Sequence, residues 1–111
     1  MNEGNNLFYV CSLIEYIGRE RKLRRADVVS GLGEETIRRI YRYAVPSYWD
    51  IGAVYARLIE DVSDGADPIT KLLEVYASWM SDALSRFNSD LFYQSRGYIA
   101  ECYRAGEILA A

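Results

Sequence analysis

The stretch that decides the fold is Asp67-Pro68-Ile69-Thr70-Lys71-Leu72-Leu73-Glu74-Val75-Tyr76-Ala77-Ser78-Trp79-Met80-Ser81-Asp82-Ala83-Leu84-Ser85-Arg86-Phe87. An Asp followed by Pro reads as a helix start. The carboxylate accepts hydrogen bonds from the first free amides, and proline fits the first helical position because its missing N–H has no partner there anyway. Downstream, Ile69, Leu72, Leu73, Tyr76, Trp79, Met80, Ala83, Leu84 and Phe87 recur every three to four residues. That spacing predicts one unbroken amphipathic helix of about five turns, ended by Asn88 in a left-handed conformation.

The same period extends outward in both directions. Asn5 or Asn6 caps a helix from Leu7 to about Glu20, closing near Gly18. Its apolar residues Leu7, Phe8, Tyr9, Val10, Cys11, Leu13, Ile14, Tyr16 and Ile17 cover nearly the whole circumference, so it belongs at the centre. Short helices follow over Arg25–Leu32, with Val28, Val29 and Leu32 inward, and over Glu34–Tyr43, with Ile37, Ile40, Tyr41 and Ala44 on one face. Ser47 caps a helix running to about Val62 on the stripe Tyr48, Ile51, Tyr55, Leu58, Ile59 and Val62, with Gly52 and Ala53 allowing close approach. Ser95 caps a last helix from Arg96 to Ala105, with Ile99, Cys102 and Tyr103 inward and Gly106 as terminator. No strand pattern competes. The expected fold is all-α, a compact orthogonal bundle of five or six helices around the first and fifth. Residues 1–6 are expected to be disordered or frayed, 7–106 to form one helical domain, and 107–111 to fray, with Ile108 and Leu109 able to dock.

Composition removes many functions. The chain has 111 residues, half of them hydrophobic and 26% charged, enough for one ordinary core without staples. It contains no histidine, which removes Ser-His-Asp and Cys-His catalysis and most zinc sites. Its two cysteines, Cys11 and Cys102, lie in apolar helical patterns and read as buried free thiols, which points to a reducing, cytoplasmic setting. Glu60, Asp61, Asp64 and Asp67 lack the Gly and closing Glu of a calcium loop. Gly31-Leu32-Gly33 has no Lys-Ser/Thr after it and is no phosphate loop. No apolar run approaches the ~18 residues that span a bilayer, and the first six residues carry no positive charge, so they lack the basic region of a signal peptide. The expectation is a protein that is not an enzyme, with no catalytic residues, no metal, no cofactor and no membrane.

Charge suggests where a partner binds. The net charge is −3, but residues 1–45 sum to +2 and residues 46–111 to −5. Over Arg19–Arg42 the local charge is +4. Arg38, Arg39 and Arg42 share a helix face, and Arg24 and Arg25 precede its partner helix. Ten tyrosines are a surplus. Spacing assigns Tyr16, Tyr41, Tyr55 and Tyr76 to the core, while Tyr43, Tyr48, Trp49, Phe92, Tyr93 and Tyr98 are too many to bury together in so small a domain. The expected partner-binding residues are Arg24, Arg25, Arg38, Arg39, Arg42, Tyr43, Tyr48 and Trp49, facing another protein or a second copy in a homodimer. The alternative is a DNA-binding helix-turn-helix over residues 25–43, in which Gly31, Leu32, Ile37 and Ile40 fit the register. Asp27 between the helices and Glu34 and Glu35 at the start of the recognition helix oppose it.

Tyr9-Val10-Cys11-Ser12-Leu13-Ile14-Glu15-Tyr16-Ile17-Gly18-Arg19 and Pro46-Ser47-Tyr48-Trp49-Asp50-Ile51-Gly52-Ala53-Val54-Tyr55 resemble segments of an uncharacterised family of small bacterial all-helical proteins. Some of those proteins carry an extra segment between the two stretches. The family has no assigned activity. Some loosely similar proteins look like companions of toxin-like genes, so the resemblance implies an antitoxin-type or accessory binding role.

Overall fold

The computed structural model describes residues 3–44, 51–84 and 94–109. Seven helices account for the regular structure there: α1 (Glu3–Arg21), α2 (Arg25–Leu32), α3 (Glu34–Arg42), α4 (Ala53–Ser63), α5 (Pro68–Ala77), α6 (Trp79–Leu84) and α7 (Arg96–Ala105). No strand occurs among the described residues, so the fold is all-α.

The Asp67 cap forms as its chemistry dictates: the carboxylate accepts from the Ile69 amide at 3.2 Å, with Pro68 at the first helical position. The expected unbroken helix is nevertheless divided at Ser78, which adopts an extended conformation (φ −88°, ψ 170°). The Ser78 hydroxyl donates to the Val75 carbonyl at 2.6 Å and accepts from the Met80 amide at 3.2 Å. One small polar side chain therefore closes α5 and opens α6, offering the backbone an alternative to the helical ladder. That break makes α5 and α6 two helices where the sequence predicts one. Phe87 and the expected Asn88 cap lie outside the described residues, as do the Ser47 cap and Tyr48.

α1 begins at Glu3, earlier than expected, so Asn6 lies inside the helix, where its side-chain amide donates to the Tyr41 carbonyl at 2.9 Å and ties α1 to α3. At its other end α1 continues through Gly18 to Arg21. Lys22 then turns left-handed (φ 55°) and the Leu23 amide donates back to the Gly18 carbonyl at 2.9 Å. This is the six-to-one closure of a Schellman motif.

α4 packs on α1, α5 and α7, while α2 packs on α1, α3, α5 and α6, so α2 and α4 bridge α1 and α5. The expected close approach at Gly52 is present. A Cβ there would lie 2.3 Å from the Cys11 carbonyl carbon and 2.3 Å from the Ser12 amide nitrogen, and the Gly52 amide donates to Ser12 Oγ at 3.2 Å. Tyr55 and Tyr76 are buried as expected and stack with centroids 4.6 Å apart. Tyr16, assigned to the core from its spacing, is exposed instead, because the buried face of α1 runs along Leu7, Val10, Cys11 and Ile14. Of the two tail residues able to dock, Ile108 is exposed, whereas Leu109 donates from its amide to Cys102 Sγ at 3.4 Å and accepts from the Tyr98 hydroxyl.

Candidate functional site

The basic stretch from Arg19 to Arg42 is spread by α1, α2 and α3 over three environments. Arg25 goes inside. Its side chain folds under the end of α1, where Nε lies 3.1 Å from Glu15 Oε2 and Nη1 donates to the Leu23 carbonyl at 2.9 Å. The space it fills exists because residue 18 is glycine: a Cβ there would lie 2.5 Å from Arg25 Cδ and Nη1. Arg25 is therefore withdrawn from the expected partner-binding set. It is a buried member of an ion pair, and no partner reaches it while the chain is folded. The sequence signal for this was Glu15, the one carboxylate within the largely apolar run Leu7–Ile17.

Arg24 and Arg38 are at the surface but engaged. Arg24 makes a two-pronged pair with Asp82, at 3.2 Å and 2.8 Å. Arg38 meets Glu34 at 2.9 Å, Asp67 at 2.7 Å and the Thr70 hydroxyl at 3.3 Å, pinning the start of α5 to α3. The guanidinium holds the Asp67 carboxyl below the usual aspartate range, helped by the Thr70 hydroxyl and the Ile69 amide.

Arg39 and Arg42 are exposed and make no ion pair among the described residues. Arg42 lies 5.9 Å from the centroid of the Tyr43 ring, which is 69% exposed. Tyr48 and Trp49 lie outside the described residues. The structure thus leaves Arg39, Arg42 and Tyr43 facing solvent at the end of α3.

The two short helices meet where their spacing predicts. α2 continues through Gly31 to Leu32, leaving Gly33 (φ 83°) alone between the helices. A helix-turn-helix has a turn of three or four residues.

At the junction of α1 and α2 lies an open groove of about 320 Å³, floored by Ile17, Leu23, Val28 and Leu32 and flanked by Arg21, Asp27 and Gly31. Sequence reasoning missed it because its two walls are brought together only by the Lys22 turn. A smaller pocket of about 210 Å³ lies between α4 and α7, where Arg57 and Arg96 are among its lining residues. Arg96 is already bonded to both oxygens of Asp61, at 2.9 Å and 2.7 Å.

Burial disfavours the ionised form of two groups in the core. Burial pushes the Cys11 thiol far above its ordinary range, and the nearby Glu15 carboxylate pushes it the same way. The Tyr76 hydroxyl beside it is raised by the same burial. Among the described residues no three His, Cys, Asp or Glu side chains converge as metal ligands, and no helix is long and apolar enough to cross a membrane. No family model, curated protein or solved structure matches this chain.

Proposed function

We propose that this chain is a non-catalytic protein-binding module whose α3 face meets an acidic protein surface, acting in the cytoplasm as an antitoxin-type or accessory companion. The observation that carries the reading is the division of the arginines. Arg24, Arg25 and Arg38 are committed to Asp82, Glu15 and Asp67, whereas Arg39 and Arg42 are exposed beside an uncovered Tyr43. A planar cation beside an aromatic ring that keeps a polar tip is the composition of a protein interface. Two such cations steer encounter with an acidic surface more than they hold the complex.

The test compares the parent with the Arg39→Gln/Arg42→Gln/Tyr43→Ala variant. Quantitative co-purification from the cell of origin is followed by titration with the recovered protein. The variant should melt like the parent and bind that protein at least about tenfold more weakly, a loss of about 1.4 kcal/mol. Equal affinity rejects the α3 face. Steeply salt-dependent binding to random duplex DNA, lost in the variant, would replace this reading with the regulator reading over residues 25–43. Sedimentation that depends on concentration in the parent alone would make the partner a second copy.

A further inference from the structure

The pocket between α4 and α7 has an apolar floor and a rim of donors. Val54, Leu58 and Ile99 form the floor, and Arg57, Gln94 and Arg96 supply the polar groups. Among the described residues no carboxylate lines it. The donors are uncommitted. Arg57 is exposed and makes no ion pair or hydrogen bond among the described residues. Its Cζ lies 5.8 Å from the centroid of the Phe8 ring, which backs the guanidinium and leaves its N–H groups open. Arg96 gives Nε and Nη2 to Asp61, at 2.9 Å and 2.7 Å, so Nη1 keeps its two donors. The exposed Gln94 amide has no partner among the described residues.

Charge sets the valence of a ligand. Asp61 compensates Arg96. Glu60, exposed and three residues on from Arg57, stands outside the lining. One guanidinium, that of Arg57, therefore borders the pocket without a paired carboxylate. A single negative charge balances it, whereas a dianion would set its second charge against Asp61 and Glu60. Volume sets the size. The pocket holds about 210 Å³, less than the ~300–1,000 Å³ of sites for drug-sized ligands and more than the ~150 Å³ that accommodates benzene.

We propose that the α4–α7 pocket binds a small monocarboxylate whose apolar body is one ring or a short branched chain. The body rests on Val54, Leu58 and Ile99, and the carboxylate accepts from Arg57, with the Gln94 amide and Arg96 Nη1 beside it. A guanidinium edge matches a carboxylate in shape and charge. No residue of α3 lines this pocket, so this reading and that of the α3 face can fail independently.

The probe is phenylacetate, followed by amide and methyl chemical shifts of the full chain. Perturbations should concentrate on Val54, Leu58 and Ile99 and saturate with a Kd of about 1 mM or tighter, as suits a ligand of about ten non-hydrogen atoms. Phenylacetamide keeps the shape without the charge, and acetate keeps the charge without the ring. Each should bind at least about tenfold more weakly. Arg57→Gln should weaken phenylacetate binding at least about tenfold and melt close to the parent, since the side chain is exposed. Arg57→Lys should recover part of the binding by restoring the charge. Should Arg57→Gln fold poorly, the three ligands compared on the parent put the same question. A tetrapeptide ending in phenylalanine with a free carboxylate separates the two sources of this chemistry. Tighter binding than phenylacetate assigns the site to a chain end of a partner protein, and weaker binding to a free acid, the monocarboxylate standing in both. The proposal is overturned if phenylacetamide binds as well as phenylacetate, or if Arg57→Gln binds like the parent. It is overturned equally if phenyl phosphate binds more tightly than phenylacetate, if the perturbations lie away from the α4–α7 pocket, or if none appear at 10 mM.

Discussion

Two arginine–carboxylate pairs in this molecule have nearly the same contact distance and opposite electrostatics. Glu15 and Arg25 meet at 3.1 Å with side chains only 3% and 10% exposed, whereas Asp67 and Arg38 meet at 2.7 Å with 44% and 35% exposed. Inside, burial pushes the Glu15 carboxyl above the usual glutamate range, and the pull of Arg25 and Arg19 only partly offsets it. Outside, Arg38 pulls the Asp67 carboxyl below its usual range against little burial. Desolvation decides the first pair and hydrogen bonding to the charged form decides the second. The interior pair is therefore a structural commitment that is costly to break. The surface pair is a modest positional aid, as exposed ion pairs generally are.

The largest expected effect comes from breaking the interior pair. Arg25→Ala leaves the Glu15 carboxylate buried without its cation and should lower stability by about 3–5 kcal/mol in a denaturant titration. Replacing both partners with apolar residues of similar volume, Glu15→Met with Arg25→Leu, should restore most of that loss. An Arg25→Ala protein that unfolds at the parent's midpoint would erase the distinction between the two pairs.

The pH dependence should differ in sign. Glu15 has its folded pKa raised, so its contribution is complete below the ordinary carboxylate range and is lost as pH rises through the raised value. Asp67 has its folded pKa lowered, so its contribution is present above the ordinary range and is lost as pH falls through the depressed value. Stability measured against pH for Glu15→Gln and for Asp67→Asn, each subtracted from the parent, should give curves of opposite slope. Asn keeps the capping capacity of Asp67, which isolates the charge. Two curves of the same slope would show that burial does not govern Glu15.

The smallest effect belongs to the surface. Arg38→Gln should leave the melting temperature within about 3 °C of the parent, since exposed pairs add little. A larger drop would mean that the α3–α5 junction depends on this guanidinium and that the surface pair resembles the interior one.

What was legible in the sequence is what is encoded locally. Asp67-Pro68 and Ser95 announce their helices through side chains that reach only two or three residues along the chain. Gly52 announces a close approach because no other residue would fit so near α1. The break at Ser78 was not legible, because Tyr76, Trp79 and Met80 keep helical spacing across it and the serine's two hydrogen bonds carry no periodic signal. Arg25 was misplaced for a different reason. In the run Arg21-Lys22-Leu23-Arg24-Arg25 nothing distinguishes it from its neighbours. Only the Lys22 turn and the missing side chain at Gly18 bring it over Glu15, ten residues earlier in the chain. The groove follows from the same turn and was hidden with it.

The Leu109 contact turns the two cysteines into separate clocks. The Leu109 amide caps Cys102 Sγ at 3.4 Å, while Cys11 is sealed at the α1–α4 contact. Release of Leu109 removes its amide from the Cys102 thiol, whereas Cys11 sits where α1 meets the Gly52 backbone and stays covered while that contact holds. A thiol-alkylating reagent applied to the native chain therefore times two events with no label introduced. Cys102 should react faster than Cys11 if release of Leu109 opens a route to it, and equal rates would show that both thiols wait for loss of the whole fold.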